Sequence, residues 1–237
     1  ACHDLDILVR ADNRVETARL LGGAGYEPYL QLRSISRELV LSRNHVHIDL
    51  HWALLREGRL REDLTTGMLS RRQRVGDTWA LDAEDALFVL LVHPAFGKHL
   101  SSWNMGLHRV VDVIVWLRNQ PFDWPKLHEQ LQACGVKTAA WATLRWVQML
   151  AQDHAPENLD EMLADLSPGV LRRRWLERWL RRDLSLRLAH NNWLRLLGLS
   201  VFLHDTPRDV VRALRGRYRA RRRQQDDALA FREVVGE

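Results

Sequence analysis

Cysteine is nearly absent from this chain, which holds only Cys2 and Cys134 and no CxxC pair. That excludes a disulfide framework and a cysteine-rich zinc site, and it fits a reducing, cytoplasmic setting. Long apolar runs are also missing: the longest uncharged stretch falls well short of the about 18 apolar residues that mark a membrane span. The N-terminus lacks the basic region followed by an apolar one that defines a signal peptide. Tyrosine is scarce, with three residues against ten tryptophans. Most of those tryptophans fall in segments of helical spacing, which assigns them to packing rather than chemistry. There is no repeat of fixed period and no low-complexity segment.

What is present is ordinary globular material: 237 residues, 46% hydrophobic and 27% charged, enough for one large domain or two small ones. The net charge of +5 conceals an asymmetry. Residues 171–223 carry 16 arginines against the four acids Glu177, Asp183, Asp205 and Asp209, a surplus of +12 that leaves about −7 for the remainder. Such a block suits RNA, a nucleotide or another anionic partner, or forms solvated helix faces. Its "WLERWLRR" and "NNWLRLLGLSVFL" segments also have the composition of helices that lie on an anionic membrane surface.

The chain opens on an apolar run, "HDLDILV", that contains two acids. As a strand it places Asp4 and Asp6 on one face and Leu5, Ile7 and Val9 on the other. Asn13 and Glu16 then mark a helix start, with Val15, Ala18 and Leu21 on one face before Gly22, Gly23 and Gly25 end it. "YEPYLQL", "RELVLSR" and "VHIDLHW" read as three further strands. The last alternates cleanly, with Val46, Ile48, Leu50 and Trp52 on one face and His47, Asp49 and His51 on the other. From Asp82 onward only helical patterns follow, with Pro121, Pro125, Pro156, Pro168 and Pro207 at or near the joints. The expected class is α+β: a small α/β domain with a mixed or antiparallel sheet over residues 1–75, then a mainly helical domain over 76–237. The boundary falls between about Arg71 and Leu81.

Like charges on one strand face repel and call for a cation, a basic partner or open solvent. Should "VHIDLHW" pair beside the first strand, the spacing of about 4.8 Å brings Asp49 to a metal held by Asp4 and Asp6. Three carboxylates suit Mg²⁺, which fills its shell with water and substrate phosphates. His47, His51, His93 and His99 are accessory candidates, since imidazole suits zinc. Against that, Pro94 and Gly97 disturb the helical spacing around His93, and isolated histidines commonly serve as hydrogen-bonded structural residues. Arg109 and Asp112 stand i and i+3, the spacing of a surface ion pair or of a bridge to the first domain.

The acid-x-acid strand, the helix and the later single-acid strand resemble the nucleotidyltransferases of the DNA polymerase beta superfamily. More narrowly, "DLDILVR", "GAGY", "VHIDLHW", "LLVHPAFGKH" and "GLHRVVDV" resemble the bacterial uncharacterised nucleotidyltransferases over about residues 3–150. The Arg-rich end lies outside that resemblance. The resemblance implies metal-dependent transfer of a nucleoside monophosphate from an NTP, with ATP the expected donor, to an unknown acceptor. It implies that Asp4 and Asp6 hold Mg²⁺ against the triphosphate, and that Asp49 binds a second ion or takes the acceptor proton. The glycine-serine turn that precedes the acid pair in that superfamily is absent, since only Ala1, Cys2 and His3 stand there. Two readings follow, a chain that lacks residues upstream of its first strand or a degenerate site; the first is preferred because "DLDILV" keeps both acids, and the activity of these 237 residues alone is left open. The rival expectation is a non-catalytic scaffold that binds RNA or a partner protein through the Arg-rich helices.

Overall fold

The computed structural model describes residues 4–28, 37–97, 100, 102–181 and 193–235. They form an α+β protein in two compact units. The first gathers residues 1–59, 63–80 and 212–237; the second gathers 60–62 and 81–211.

In the first unit, β1 (Asp4–Leu8) is followed by α1 (Arg14–Gly23), β2 (Glu27–Pro28), β3 (Glu38–Arg43) and β4 (Val46–His51). The sheet order is β1-β4-β3-β2, and it is mixed: β1 runs parallel to β4, while β3 is antiparallel to both β4 and β2. Asn13 precedes α1 as expected, but a 3-10 turn over Ala11–Asn13 leads into the helix and the Asn13 side chain makes no capping bond. Gly25, at φ +84°, closes α1, with Tyr26 N–H donating to the Leu21 carbonyl (3.0 Å). Asn44 and His45 join β3 to β4 with φ of 49° and 66°, the two-residue turn whose twist matches a hairpin. Of "YEPYLQL" only Tyr26, Glu27 and Pro28 lie among the described residues, and the rest of that expected strand lies outside them.

Alternation then divides the sheet into two faces. Leu39, Leu41, Leu50 and Trp52 are buried against Ala18 of α1, with Ile7, Val9, Val15 and Leu21 packed around them. The tenth helix, α10 (Pro207–Val235), adds Phe231, whose ring lies 5.4 Å from that of Trp52. The opposite face carries the acids and histidines. After β4 come α2 (Thr65–Arg71) and a hairpin of β5 (Gln73–Val75) and β6 (Thr78–Ala80). This hairpin falls in the segment read only as a boundary. Its signal was the pair Gly76-Asp77, with Gly76 at φ +57° supplying the turn.

The second unit holds α3 (Ala83–Phe96), α4 (Ser102–Asn119), α5 (Trp124–Cys134), α6 (Lys137–Ala151), α7 (Leu159–Asp165), α8 (Val170–Arg181) and α9 (Trp193–Leu203). The chain enters α10 within this unit. Helix α6 is its centre, packing on α3, α4, α5, α7, α8 and α9 with Trp141, Leu144 and Val147 buried. Asp205 accepts from the Lys137 and Thr138 N–H groups (3.1 and 2.8 Å) and so satisfies the free donors at the start of α6. Arg61 crosses Gly135, where an added Cβ would stand 2.5 Å from its Nε, and grips buried Asp209 through two bonds of 3.0 and 2.9 Å. This clamp explains why residues 60–62 group with the helices. Burial pushes the Cys134 thiol up to about 11, which makes it a packing residue.

In the described parts of the two segments with membrane-surface composition, several apolar side chains pack inward. Trp175 stacks on Phe202 (4.1 Å) and on Trp179 (5.4 Å), while Leu176, Leu180, Leu199 and Leu203 are buried. These apolar faces form core. Among the described residues no helix is long and apolar enough to cross a membrane. Of the Arg-rich run, α8 belongs to the second unit and residues 212–223 to the first, and 182–192 lie outside the described residues.

The starts of α3 and α5 are joined by Glu84, which accepts from Lys126 Nζ (2.7 Å) and from the Asp123 N–H (2.9 Å). The Lys126 bond, then the backbone donor, hold its carboxyl below the usual carboxylate range. A depressed folded-state value means stability that is present above about pH 4.5 and lost as pH falls through the folded-state value. Glu84→Gln is therefore expected to cost about 1 kcal/mol at pH 7. Urea unfolding as a function of pH should show the two proteins converging on acidification.

Candidate metal centre

The register places Asp6 directly opposite Asp49 on the parallel strands β1 and β4, with Leu8 opposite His51. On the other side of β4, His51 pairs with Glu38 of β3. Asp6, Asp49 and His51 each offer a ligand atom, and the three atoms lie within 4.8 Å of one another. They are the group of this kind found among the described residues. Asp6 is well exposed, with 63% of its side chain accessible, so a dissolved ion can reach it, whereas His51 is at 20%.

The imidazole is held between two carboxylates. Its Nε2–H donates to Asp6 Oδ1 (3.0 Å), and its Nδ1 stands 3.6 Å from Glu38 Oε2. Burial opposes the protonated ring, but the bond to Asp6 and the charges of Glu38, Asp6 and Asp49 outweigh it and raise the His51 pKa above 6.5. Four ionisable groups thus share one sheet face, three of them acids. Oxygen donors dominate, which suits a hard divalent ion, and the protonated imidazole offsets part of the acid repulsion when no ion is bound.

Asp4 is placed by its backbone, two residues before Asp6 and opposite His47; its side chain lies outside the described ones. His47 sits on β4 between Asp4 and Ser42 in the register. His93 belongs to α3 in the second unit, where its Nε2 would be 2.8 Å from a Cβ at Gly97; the helix runs on past Pro94 to Phe96. Its neighbour in sequence, His99, lies outside the described residues. Arg109 and Asp112, also in the second unit, form the i,i+3 pair at 3.8 Å on the surface of α4. Such an exposed pair contributes a few tenths of a kcal/mol, about 0.3. Glu38 was missed by the sequence reading. The available signal was the alternation in "ELVLSR", which sets Glu38, Val40 and Ser42 on one face.

A cleft of about 410 Å³ opens in the first unit where β1 ends, bordered by Arg10, Asn13, Thr17, Ser70 and Arg72. Its volume lies in the range of small-molecule sites.

No curated protein and no solved structure matches the chain. A family model for uncharacterised nucleotidyltransferases matches residues 1–152, which takes in the whole acid constellation and the first helices of the second unit. With more than half of its 237 residues matched, the chain belongs to the uncharacterised nucleotidyltransferase family.

Proposed function

We propose that the protein transfers a nucleoside monophosphate from an NTP, with ATP as donor, to a hydroxyl-bearing acceptor, using a divalent ion, Mg²⁺, at Asp6 and Asp49. The observation that carries this reading is the convergence of Asp6, Asp49 and His51 within 4.8 Å on the exposed sheet face of a nucleotidyltransferase-family chain. Asp4, two residues before Asp6 on β1, completes the acid set. A bound ion would supply charge neutralisation for the triphosphate and the departing pyrophosphate.

The chain's own residues then have separable tasks. Asp6 is oriented by the His51 N–H, which fixes its carboxylate on the face where the ion would bind. The acceptor oxygen forms a bond to the α-phosphorus, its proton passes to the Asp49 carboxylate, and the bond to pyrophosphate breaks. Glu38, 3.6 Å from the other ring nitrogen, favours the protonated form of the imidazole. The cleft beside the end of β1 supplies amide and hydroxyl side chains of the kind that hydrogen-bond a nucleoside. The test is transfer of label from ATP carrying a marked α-phosphate to a panel of hydroxyl acceptors, with and without Mg²⁺. Mg²⁺-dependent labelling with pyrophosphate release supports the reading; label transfer undiminished by EDTA defeats it.

A further inference from the structure

The turn Arg56–Arg59 follows shortly after the acid-bearing strand β4 and is closed by a bond from the Arg59 N–H to the Arg56 carbonyl (3.1 Å). Gly58, at φ +81°, occupies its third position, where only a left-handed residue completes this turn type. A turn of this kind brings its two ends within about 7 Å, so Arg56 and Arg59 become neighbours.

Helix α10 meets this turn backbone to backbone. A Cβ at Gly58 would lie 2.5 Å from the Arg212 carbonyl oxygen, and one at Gly216 would lie 2.1 Å from the Glu57 carbonyl oxygen. The two glycines permit that approach, and the next residue on the helix is Arg217. Glu57, the acid inside the turn, is engaged by Arg37 (3.3 Å) and Arg223 (3.5 Å). Arg56 and Arg217 are exposed and Arg59 is half-buried. Their mutual repulsion is felt: removal from water, then the charges of Arg56 and Arg217, bring Arg59 down to about 10. Arg56 is lowered by the same loss of water, although Glu38 counters it. Glu38 is also the residue that faces His51. Arg37, which grips Glu57 inside the turn, is the chain neighbour of Glu38, so the turn lies next to the end of β3 that faces His51.

We propose that Arg56, Arg59 and Arg217 form a polyphosphate subsite that holds the triphosphate tail of the donor nucleotide beside the Asp6, Asp49 and His51 centre. The choice of ligand rests on the nucleotidyl-transfer reading; the anion site itself does not. The turn and the glycine contacts fix the backbone from which the three arginines project, and guanidiniums match phosphate oxygens as planar forks. Acids on one side and arginines on the other match a ligand whose metal-bound and free phosphate oxygens are strung along one chain.

The test is calorimetric titration of inorganic tripolyphosphate, without metal, into the full chain and its variants. Wild type should bind, Arg217→Gln should weaken binding about tenfold, and Arg217→Lys should lose less. The exposed second-unit variant Arg174→Gln should match wild type, and thermal unfolding should show all four folded. Equal affinity in wild type and Arg217→Gln, or no tripolyphosphate binding by wild type, overturns the subsite. AMP, which lacks the polyphosphate, should bind wild type and Arg217→Gln alike; a tenfold loss with AMP also overturns it. Failure of label transfer together with an Arg217-dependent tripolyphosphate affinity would remove the transferase reading and leave the anion site standing.

Discussion

Replacing Asp49 by Asn is expected to lower Mg²⁺-dependent ATP binding and label transfer by at least about 100-fold while leaving the fold intact. Asparagine keeps the shape of the side chain and its hydrogen-bonding reach, so the packing of β4 between β1 and β3 is undisturbed. What disappears is one of the charges that face each other across the Asp6–Asp49 register. Without metal that repulsion is a cost, so the thermal midpoint of Asp49→Asn should equal or exceed that of wild type. Calorimetry of ATP binding with and without Mg²⁺, paired with thermal unfolding, reads both halves. Full Mg²⁺-dependent binding in the variant would dismiss Asp49 as a ligand; loss of binding with loss of fold would assign it to structure.

The second large effect belongs to Gly216. An alanine there sets its methyl 2.1 Å from the Glu57 oxygen and 2.8 Å from the Gly58 nitrogen, and both are backbone atoms with no rotamer to escape into. The helix and the turn must separate, at an expected cost of about 3 kcal/mol. Gly22, in the last turn of α1, has nothing within 4 Å of its added Cβ. Gly22→Ala should be neutral or raise stability by up to about 0.5 kcal/mol, because alanine narrows the unfolded ensemble. Urea titrations of the two variants compare the same change of atoms in a closed and an open position. Equal midpoints would mean that the contact between α10 and the turn carries no weight.

The difference between what the sequence disclosed and what it withheld follows from range. Asp6 and Asp49 were legible because alternation is local: each strand announces which of its residues share a face, and pairing β4 beside β1 then joins the two acids. The α+β order and the helices after Asp82 were legible for the same reason. His51 stood out as a residue on the right face. Its attachment to Asp6 depends on a parallel register two residues beyond the acid pair, which no local pattern encodes. Glu38 owes its position to the β3–β4 turn at Asn44 and His45. The gathering of Arg217 with Arg56 required residues far apart in the chain to meet, and the local signal was only a glycine in an arginine-rich helix. The hairpin at Gln73–Ala80 was readable from Gly76-Asp77, but two three-residue runs are too short to show a period.

The docking of Phe231 beside Trp52 carries a consequence for biosynthesis. The sheet that bears the acids leaves the ribosome early, yet one side of its core stays uncovered until residues about 180 positions later have been made. At ~5–20 residues per second that interval lasts roughly 10–40 s. During it, the part of the apolar side of β3 and β4 that α1 leaves uncovered, around Trp52, is open to other nascent chains. Native pairing of elements so distant in sequence is also slow once the chain is free. Chaperone dependence should therefore concentrate on this half of the protein, and the helical unit, whose core lies within residues 60–211, can close first.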